Sequence, residues 1–239
     1  VADYLLPADA DPEQIQNVID RETDLLRMME TQMQALPSND SKEKTLLEEW
    51  KLSITPVNDE KELRQIKRHM GHSADCFSKA FRVKNSNRDN AFWNYYDKHN
   101  YHKEDIHYWY HGSRNMNCLS ILHNGLILNP KAPKVGHMFG YGIYLAPKAK
   151  KSIGYTSLNG SFWVHGTSDK AYLFVMKTVY KSPYHVYTWT SGMKSLTKSR
   201  ISPHDAVFAH AGTSLRNDEV VIFDDAQVTL QYIIELKQQ

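Results

Sequence analysis

Apolar residues recur at helical spacing in the first third of the chain and give way to short β-like runs after it. Asp11-Pro12-Glu13 opens the first helix, with an N-cap Asp, Pro at the first helical position and an acidic first turn. Ile15, Val18, Ile19, Leu25, Leu26 and Met29 then form one stripe, out to about Leu36-Pro37, and the polar residues after it read as a loop. The pattern predicts a second short helix over 41–50 and a strand entry at Ser53–Val57. It also predicts a helix over 59–80 with Leu63, Ile66 and Met70 on one face. From about residue 80 the period shortens. The runs Ala80–Val83, Ile106–Tyr110, Gly142–Leu145, Tyr172–Tyr180, Glu219–Phe223 and Val228–Leu236 read as strands separated by Gly, Pro and Ser turns. Two helices interrupt them, Cys118–Asn124 closed by Gly125 and one near Ala149–Tyr155. No regular helices join the strands, which disfavours a doubly wound parallel sheet. The expected fold class is α+β. A short helical unit over residues 1–50 precedes an antiparallel, loop-rich domain over 51–239.

Composition narrows the function classes. With 239 residues, 41% hydrophobic and 23% charged, the chain can bury a core, and wholesale disorder is excluded. No apolar run approaches the roughly 18 residues of a membrane-spanning helix. The chain opens at Val1 without a basic, apolar leader; no signal peptide is visible, and upstream sequence is expected to have been removed. Cys76 and Cys118 fit neither a zinc knuckle nor a disulfide framework, which points to a reducing, intracellular compartment. The net charge of +2 hides an asymmetry. Residues 1–50 hold 12 acidic against 4 basic side chains, net −8, and the remainder holds 25 basic against 15 acidic, net +10. Either an acidic helical face stays solvated, or the acidic unit lies near a basic groove built for an anionic ligand.

Five constellations carry candidate chemistry. Tyr110-His111-Gly112-Ser113-Arg114 ends an apolar strand, where Gly admits a ligand close to the backbone and His, Ser and Arg can grip a hydroxylated or anionic one. In Gly136-His137-Met138-Phe139-Gly140-Tyr141-Gly142 three glycines precede a strand, whereas a dinucleotide fingerprint would follow one. Lys150-Lys151-Ser152-Ile153-Gly154-Tyr155 places a hydroxyl and a ring three residues apart on one helix face, which suits a planar amide ligand. Asn217-Asp218-Glu219 puts a carboxylate at the head of a strongly β-forming run. The histidines His99, His102, His107 and His111 lack regular ligand spacing, which disfavours zinc, and Trp93, Tyr95, Tyr96 and Trp109 read as core. Each motif alone has a structural alternative: a polar turn, a glycine turn, an exposed helical turn or a solubilised strand edge.

In this order the segments resemble the catalytic domain of the poly(ADP-ribose) polymerase family, within the ADP-ribosyltransferase superfamily. The resemblance runs from about Leu52 to Lys237. It rests on His111-Gly112-Ser113-Arg114, the run Met138 to Tyr144, Lys151-Ser152-x-x-Tyr155, Asn217-x-Glu219 and the tail Asp225 to Tyr232. It implies that His111, Tyr144 and Glu219 form the family's His-Tyr-Glu triad, the combination typical of members that build polymer. Gly112 and Ser152 would hold the nicotinamide carboxamide of NAD and Tyr155 would stack on its ring. Ser113 and Asn117 would contact the adenosine half, Lys151 would stand on the acceptor side, and Asn129–Val135 would be the loop over the donor. His137 departs from the pattern, standing where close relatives often have a Tyr beneath the donor; an imidazole there adds pH sensitivity.

The implied reaction transfers ADP-ribose from NAD to protein acceptors, the chain itself included, and elongates it, releasing nicotinamide. NAD is then a consumed substrate, no true cofactor or metal is needed, and nicotinamide mimics would inhibit. DNA would act only through domains absent from this chain, and no membrane is involved. The resemblance places the protein in the nucleus if the source is eukaryotic and in the cytoplasm if bacterial. Residues 1–50 would be a trimmed remnant of the regulatory helical domain found in DNA-damage-responsive members. The alternatives are a single-unit transferase, a catalytically silent NAD or ADP-ribose binding module, and a nucleic-acid-binding protein, for which no compact basic motif speaks.

Overall fold

The computed structural model describes residues 16, 19, 20, 23, 24, 26, 27, 44–128 and 138–238. Among these, nine strands form two sheets. The first holds β1 (Leu52–Pro56), β2 (Phe77–Asn85), β3 (Ile106–Gly112), β5 (Lys170–Val179) and β9 (Val228–Lys237) in the order β1-β2-β9-β5-β3, antiparallel throughout. The second holds β4 (Ile143–Leu145), β6 (Pro183–Val186), β7 (Ala206–Ala209) and β8 (Glu219–Ile222) in the order β4-β8-β7-β6. Here the antiparallel expectation needs one correction, because β6 pairs with β7 in parallel. A parallel pair needs a long crossover. Residues 187–205 supply it, with the short helix α6 (Lys198–Ile201) inside.

Strand β5 explains why the core lies on both sides of the first sheet. Its residues Ala171 and Leu173–Met176 are buried on both faces, as a central strand requires. Phe174 and Met176 meet Leu145, Val220 and Ile222 of the second sheet. Leu173 and Val175 face Ile66 and Met70 of helix α2 (Glu60–Met70) together with Ile234 and Leu236 of β9.

Several elements differ from the sequence pattern. The helix expected over 59–80 stops at Gly71, whose φ of 60° ends the α-helical path. A 3-10 turn, Gly71–Cys76, follows, and the β-forming run from Phe77 pairs with β9 instead. The second helix is short, α1 (Leu46–Glu49), fastened by a capping box between Thr45 and Glu48. Helix α3 (Ser86–Lys98) falls in a stretch where no helix was expected; Asn85 caps it by accepting from the Arg88 amide. Tyr95 of that helix is core, as expected, whereas Trp93 is exposed. Helices α4 (Cys118–Asn124) and α5 (Ala149–Ile153) stand where the pattern placed them.

The described residues between 16 and 27 are helical. Ile19 and Leu26, expected on the buried stripe, are exposed, and the other four stripe residues lie outside the described set. The buried group is instead Asp24, 7% exposed. Its carboxylate lies 2.6 Å from Arg114 and 3.2 Å from Arg27. At this residue the acidic face is docked rather than solvated.

Candidate active site

The site begins where the two sheets meet. The Tyr110 amide donates to the Ala146 carbonyl at 2.9 Å and the Ala146 amide returns the bond at 2.8 Å, so β3 and the end of β4 run side by side. Behind this seam the buried Tyr110 hydroxyl meets Nδ1 of His69 on α2 at 2.6 Å. Burial holds His69 below the ordinary imidazole range, which favours its neutral form.

The seam places His111 against Tyr144. Nδ1 of His111 is 3.1 Å from the Tyr144 carbonyl, which can only accept, so Nδ1 carries the proton and Nε2 remains an acceptor. Burial also lowers the His111 pKa, opposed by that carbonyl. The Tyr144 hydroxyl donates to the Gly140 carbonyl at 2.7 Å and accepts from the Phe139 amide at 2.9 Å, fastening the end of the glycine-rich segment beneath the ring. Burial pushes this phenol up, and the charge of Glu219 adds to the shift.

Gly112 lets α5 approach the end of β3. A Cβ there would lie 1.7 Å from the Ser152 carbonyl oxygen, so only glycine fits. The approach brings the buried Ser152 and the Gly112 backbone together. Tyr155 follows one turn later, its amide donating to the Ser152 carbonyl at 3.0 Å. Its ring stacks with Trp163 at 5.8 Å between centroids and 19° between planes. Burial, with a contribution from Glu219, raises its pKa to about 12, so the hydroxyl stays protonated.

Glu219 opens β8 and is 9% exposed. Lys151 Nζ on α5 lies 2.6 Å from its Oε1. Burial raises the carboxyl pKa and Lys151 opposes it, the balance expected when a desolvated acid keeps one counter-charge. On the other flank Asn117 Nδ2 donates to Ser113 Oγ at 2.9 Å. The neighbouring turn is tied down by the Asn115 amide on Ser157 Oγ at 2.9 Å, and Arg114 reaches Asp24.

The structure thus gathers His111, Gly112, Tyr144, Lys151, Ser152, Tyr155 and Glu219 around one seam, with Ser113 and Asn117 beside it. His137 and the segment 129–135 lie outside the described residues. The histidines do not assemble into a common cluster: His99 turns to the Tyr95 carbonyl at 2.8 Å, and His107 stacks on Trp109 and Tyr180. Among the described residues no three metal-ligating side chains converge. The sequence pattern did not single out Trp163, which stacks on Tyr155, nor Phe162, which meets Trp163 edge-on. The available signal was an adjacent pair of large aromatics in the Ser- and Gly-rich stretch 156–168.

This arrangement can orient a flat amide between Gly112, Ser152 and Tyr155 while presenting a carboxylate with a lysine partner to the bond beyond it. The profile of the poly(ADP-ribose) polymerase catalytic domain matches residues 59–238. A poly(ADP-ribose) polymerase of Drosophila melanogaster is 31% identical over 147 residues, 54% of this chain and 15% of that protein. Poly(ADP-ribose) polymerase 1 of Gallus gallus is 31% identical over 153 residues, 54% of this chain and 14% of that protein. Poly(ADP-ribose) polymerase 2 of Arabidopsis thaliana is 26% identical over 219 residues, 77% of this chain and 33% of that protein. The chain therefore spans only a minor part of these relatives, and within that part it belongs to the poly(ADP-ribose) polymerase catalytic-domain family.

Proposed function

We propose that this chain transfers ADP-ribose from NAD to protein acceptors, itself among them, and extends the first unit into polymer, releasing nicotinamide. The observation that carries the reading is the buried Glu219–Lys151 pair beside Tyr144 and Tyr155. NAD already contains a cationic leaving group, and breaking its nicotinamide–ribose bond passes through an oxocarbenium-like state, as glycoside cleavage does. What that step needs from the protein is orientation of the donor and negative charge at the ribose. In this reading Gly112 and Ser152 hold the carboxamide and Tyr155 stacks on the pyridinium ring. The free Nε2 of His111 accepts from a hydroxyl of the adenosine-side ribose. Glu219 accepts the ribose 2′-hydroxyl and draws the proton from the incoming acceptor hydroxyl. Lys151 offsets the desolvation of that carboxylate and stands on the acceptor side. Ser113 and Asn117 contact the adenosine half. No step is assigned to a metal or a resident cofactor, and nicotinamide mimics compete for the carboxamide clamp.

Incubation with labelled NAD and separation by gel tests this. Ladders are expected from the wild type. Glu219→Gln should abolish them while NAD binding persists, because the amide keeps the size and loses the charge. A single shifted band would replace the polymer reading by single-unit transfer, and no label would leave only a binding module.

A further inference from the structure

Beyond the residues assigned to the donor, the segment between Tyr155 and β5 folds into a loop that is pinned at both ends. The Ser168 amide donates to the Ser157 carbonyl at 2.9 Å, the Asn159 amide to the Ser168 carbonyl at 2.9 Å and the Gly160 amide to the Gly166 carbonyl at 3.1 Å. Leu158 of this loop is buried in the core that holds Ala149 of α5 and Leu173 of β5. Ser157 Oγ accepts from the Asn115 amide at 2.9 Å, which ties the loop to the turn after His111-Gly112-Ser113. From this fixed base Trp163 returns to the end of α5. Its amide donates to the Gly154 carbonyl at 2.9 Å, and a Cβ on Gly154 would lie 2.9 Å from Cδ1 and 3.4 Å from Nε1 of the indole. The indole stacks with Tyr155 at 5.8 Å and 19°, and Phe162 closes on it edge-on at 4.6 Å and 88°.

We propose that Trp163 is a positioning residue for the nicotinamide end of NAD: its indole braces the outer face of the Tyr155 ring and leaves the inner face for the pyridinium. The proposal rests on the NAD-dependent transfer argued above and adds a loop residue to its donor site. The two faces divide by burial. Ser152, which would hold the carboxamide, is 4% exposed, whereas Trp163 is 51% exposed and hangs from Gly154 at the outer end of α5. A phenol carried on a short helical turn keeps rotamer freedom unless something packs against it, and ordering it on binding costs affinity. A second ring supplies that order in advance, and offset parallel packing at this spacing is a geometry that aromatic pairs prefer. The contacts of Trp163 lead to Gly154, Tyr155 and Phe162 rather than into the core, where Leu158 already anchors the loop.

The test titrates benzamide into the full 239-residue chain and measures KM and kcat for labelled NAD. Trp163→Ala should weaken benzamide binding by about two- to tenfold, the scale of immobilising one side chain. It should raise KM for NAD by a similar factor while kcat changes less. Trp163→Phe keeps a ring and should restore most of the affinity. Gly154→Ala keeps both rings and a backbone that alanine adopts readily, φ −59° and ψ −16°, yet its Cβ displaces the indole. It should therefore weaken benzamide as Trp163→Ala does. Wild-type affinity in Trp163→Ala and Gly154→Ala overturns the proposal. Tighter binding overturns it too, because it would put the indole on the ligand face of Tyr155. So does equal weakening in Trp163→Phe and Trp163→Ala, or a fall in kcat at constant KM, which marks a general loss of folded enzyme. A wild type that binds no benzamide would instead sink the underlying reading of the donor site.

Discussion

Replacing Gly112 by Ala tests the carboxamide clamp at its tightest point. The added Cβ would lie 1.7 Å from the Ser152 carbonyl oxygen, 2.6 Å from its carbon and 3.2 Å from its Cα, all backbone atoms that cannot rotate away. Ordinary contact begins near 3.4 Å, so the strand end and α5 must part by about 1.7 Å. Ser152, Lys151 and Tyr155 all travel with that helix. Misplacement of about 1 Å in a positioned site costs on the order of 100-fold in rate, so NAD turnover should fall by at least that factor. Overpacking itself costs about 1–3 kcal/mol. For a domain of this size that lowers the thermal midpoint by about 2–12 °C. Gly192→Ala is the control, because no heavy atom lies within 4 Å of its added Cβ and its φ is not positive. Benzamide affinity, labelled-NAD turnover and thermal melts would be measured on both. Wild-type benzamide affinity in Gly112→Ala, or a loss matched by Gly192→Ala, would refute the close-approach account.

Three further substitutions probe the same geometry. Lys151 lowers the carboxyl pKa that burial raises, so Lys151→Met should move the acid limb of the transfer-rate profile to higher pH; coincident limbs would show that the pair is not coupled to catalysis. With its folded-state pKa raised, Glu219 favours the protein below the pKa of a free carboxyl and loses that contribution as pH rises, so the destabilisation by Lys151→Met should shrink on acidification; a pH-independent melting difference would refute this. Tyr155→Ala should cost about 1–3 kcal/mol of benzamide binding, and unchanged affinity in a titration would remove the stacking role. Asp24→Asn weakens a buried carboxylate shared by Arg114 and Arg27 and should cost about 1–2 kcal/mol, read as a lower thermal midpoint; an unchanged midpoint would mean that the amino-terminal helix is not held there.

How much of this was legible in the sequence depended on what each residue answers to. The strand-end His111-Gly112-Ser113, the Ser152-x-x-Tyr155 turn and the head of β8 announced themselves because local chemistry and local geometry coincide there. Their assembly did not: nothing in the pattern says that a glycine in β3 faces the carbonyl of a serine forty residues later. The same limit explains α3, whose aromatic run has weak helical periodicity and is helical because Phe92, Tyr95 and Tyr101 pack together with Val179. The error over Ile19 and Leu26 has a related origin. A stripe predicts burial only if a partner surface covers it, and at the described positions the docking contact is an ion pair to Arg114 rather than apolar packing. Phe162 and Trp163 escaped notice because exposure, unlike periodicity, is a property of the folded surface.

The division of the candidate triad between two sheets has a physical consequence. His111 belongs to the five-stranded sheet, whereas Tyr144 and Glu219 belong to the four-stranded one. Two backbone bonds between Tyr110 and Ala146 and the imidazole–carbonyl bond of His111 cross this seam alongside the packed apolar side chains. A bond of that number and kind fixes spacing better than it supplies stability, since each is worth about 1 kcal/mol net. Stability comes instead from the shared core, where Phe174 and Met176 of one sheet meet Leu145 and Ile222 of the other. The two tasks are therefore carried by different atoms. The apolar interior holds the sheets together, and the polar seam, braced from behind by His69 on Tyr110, sets the separation between the group that would hold the donor and the carboxylate that would act on it. A surface built this way can vary its rim without disturbing the spacing at the centre.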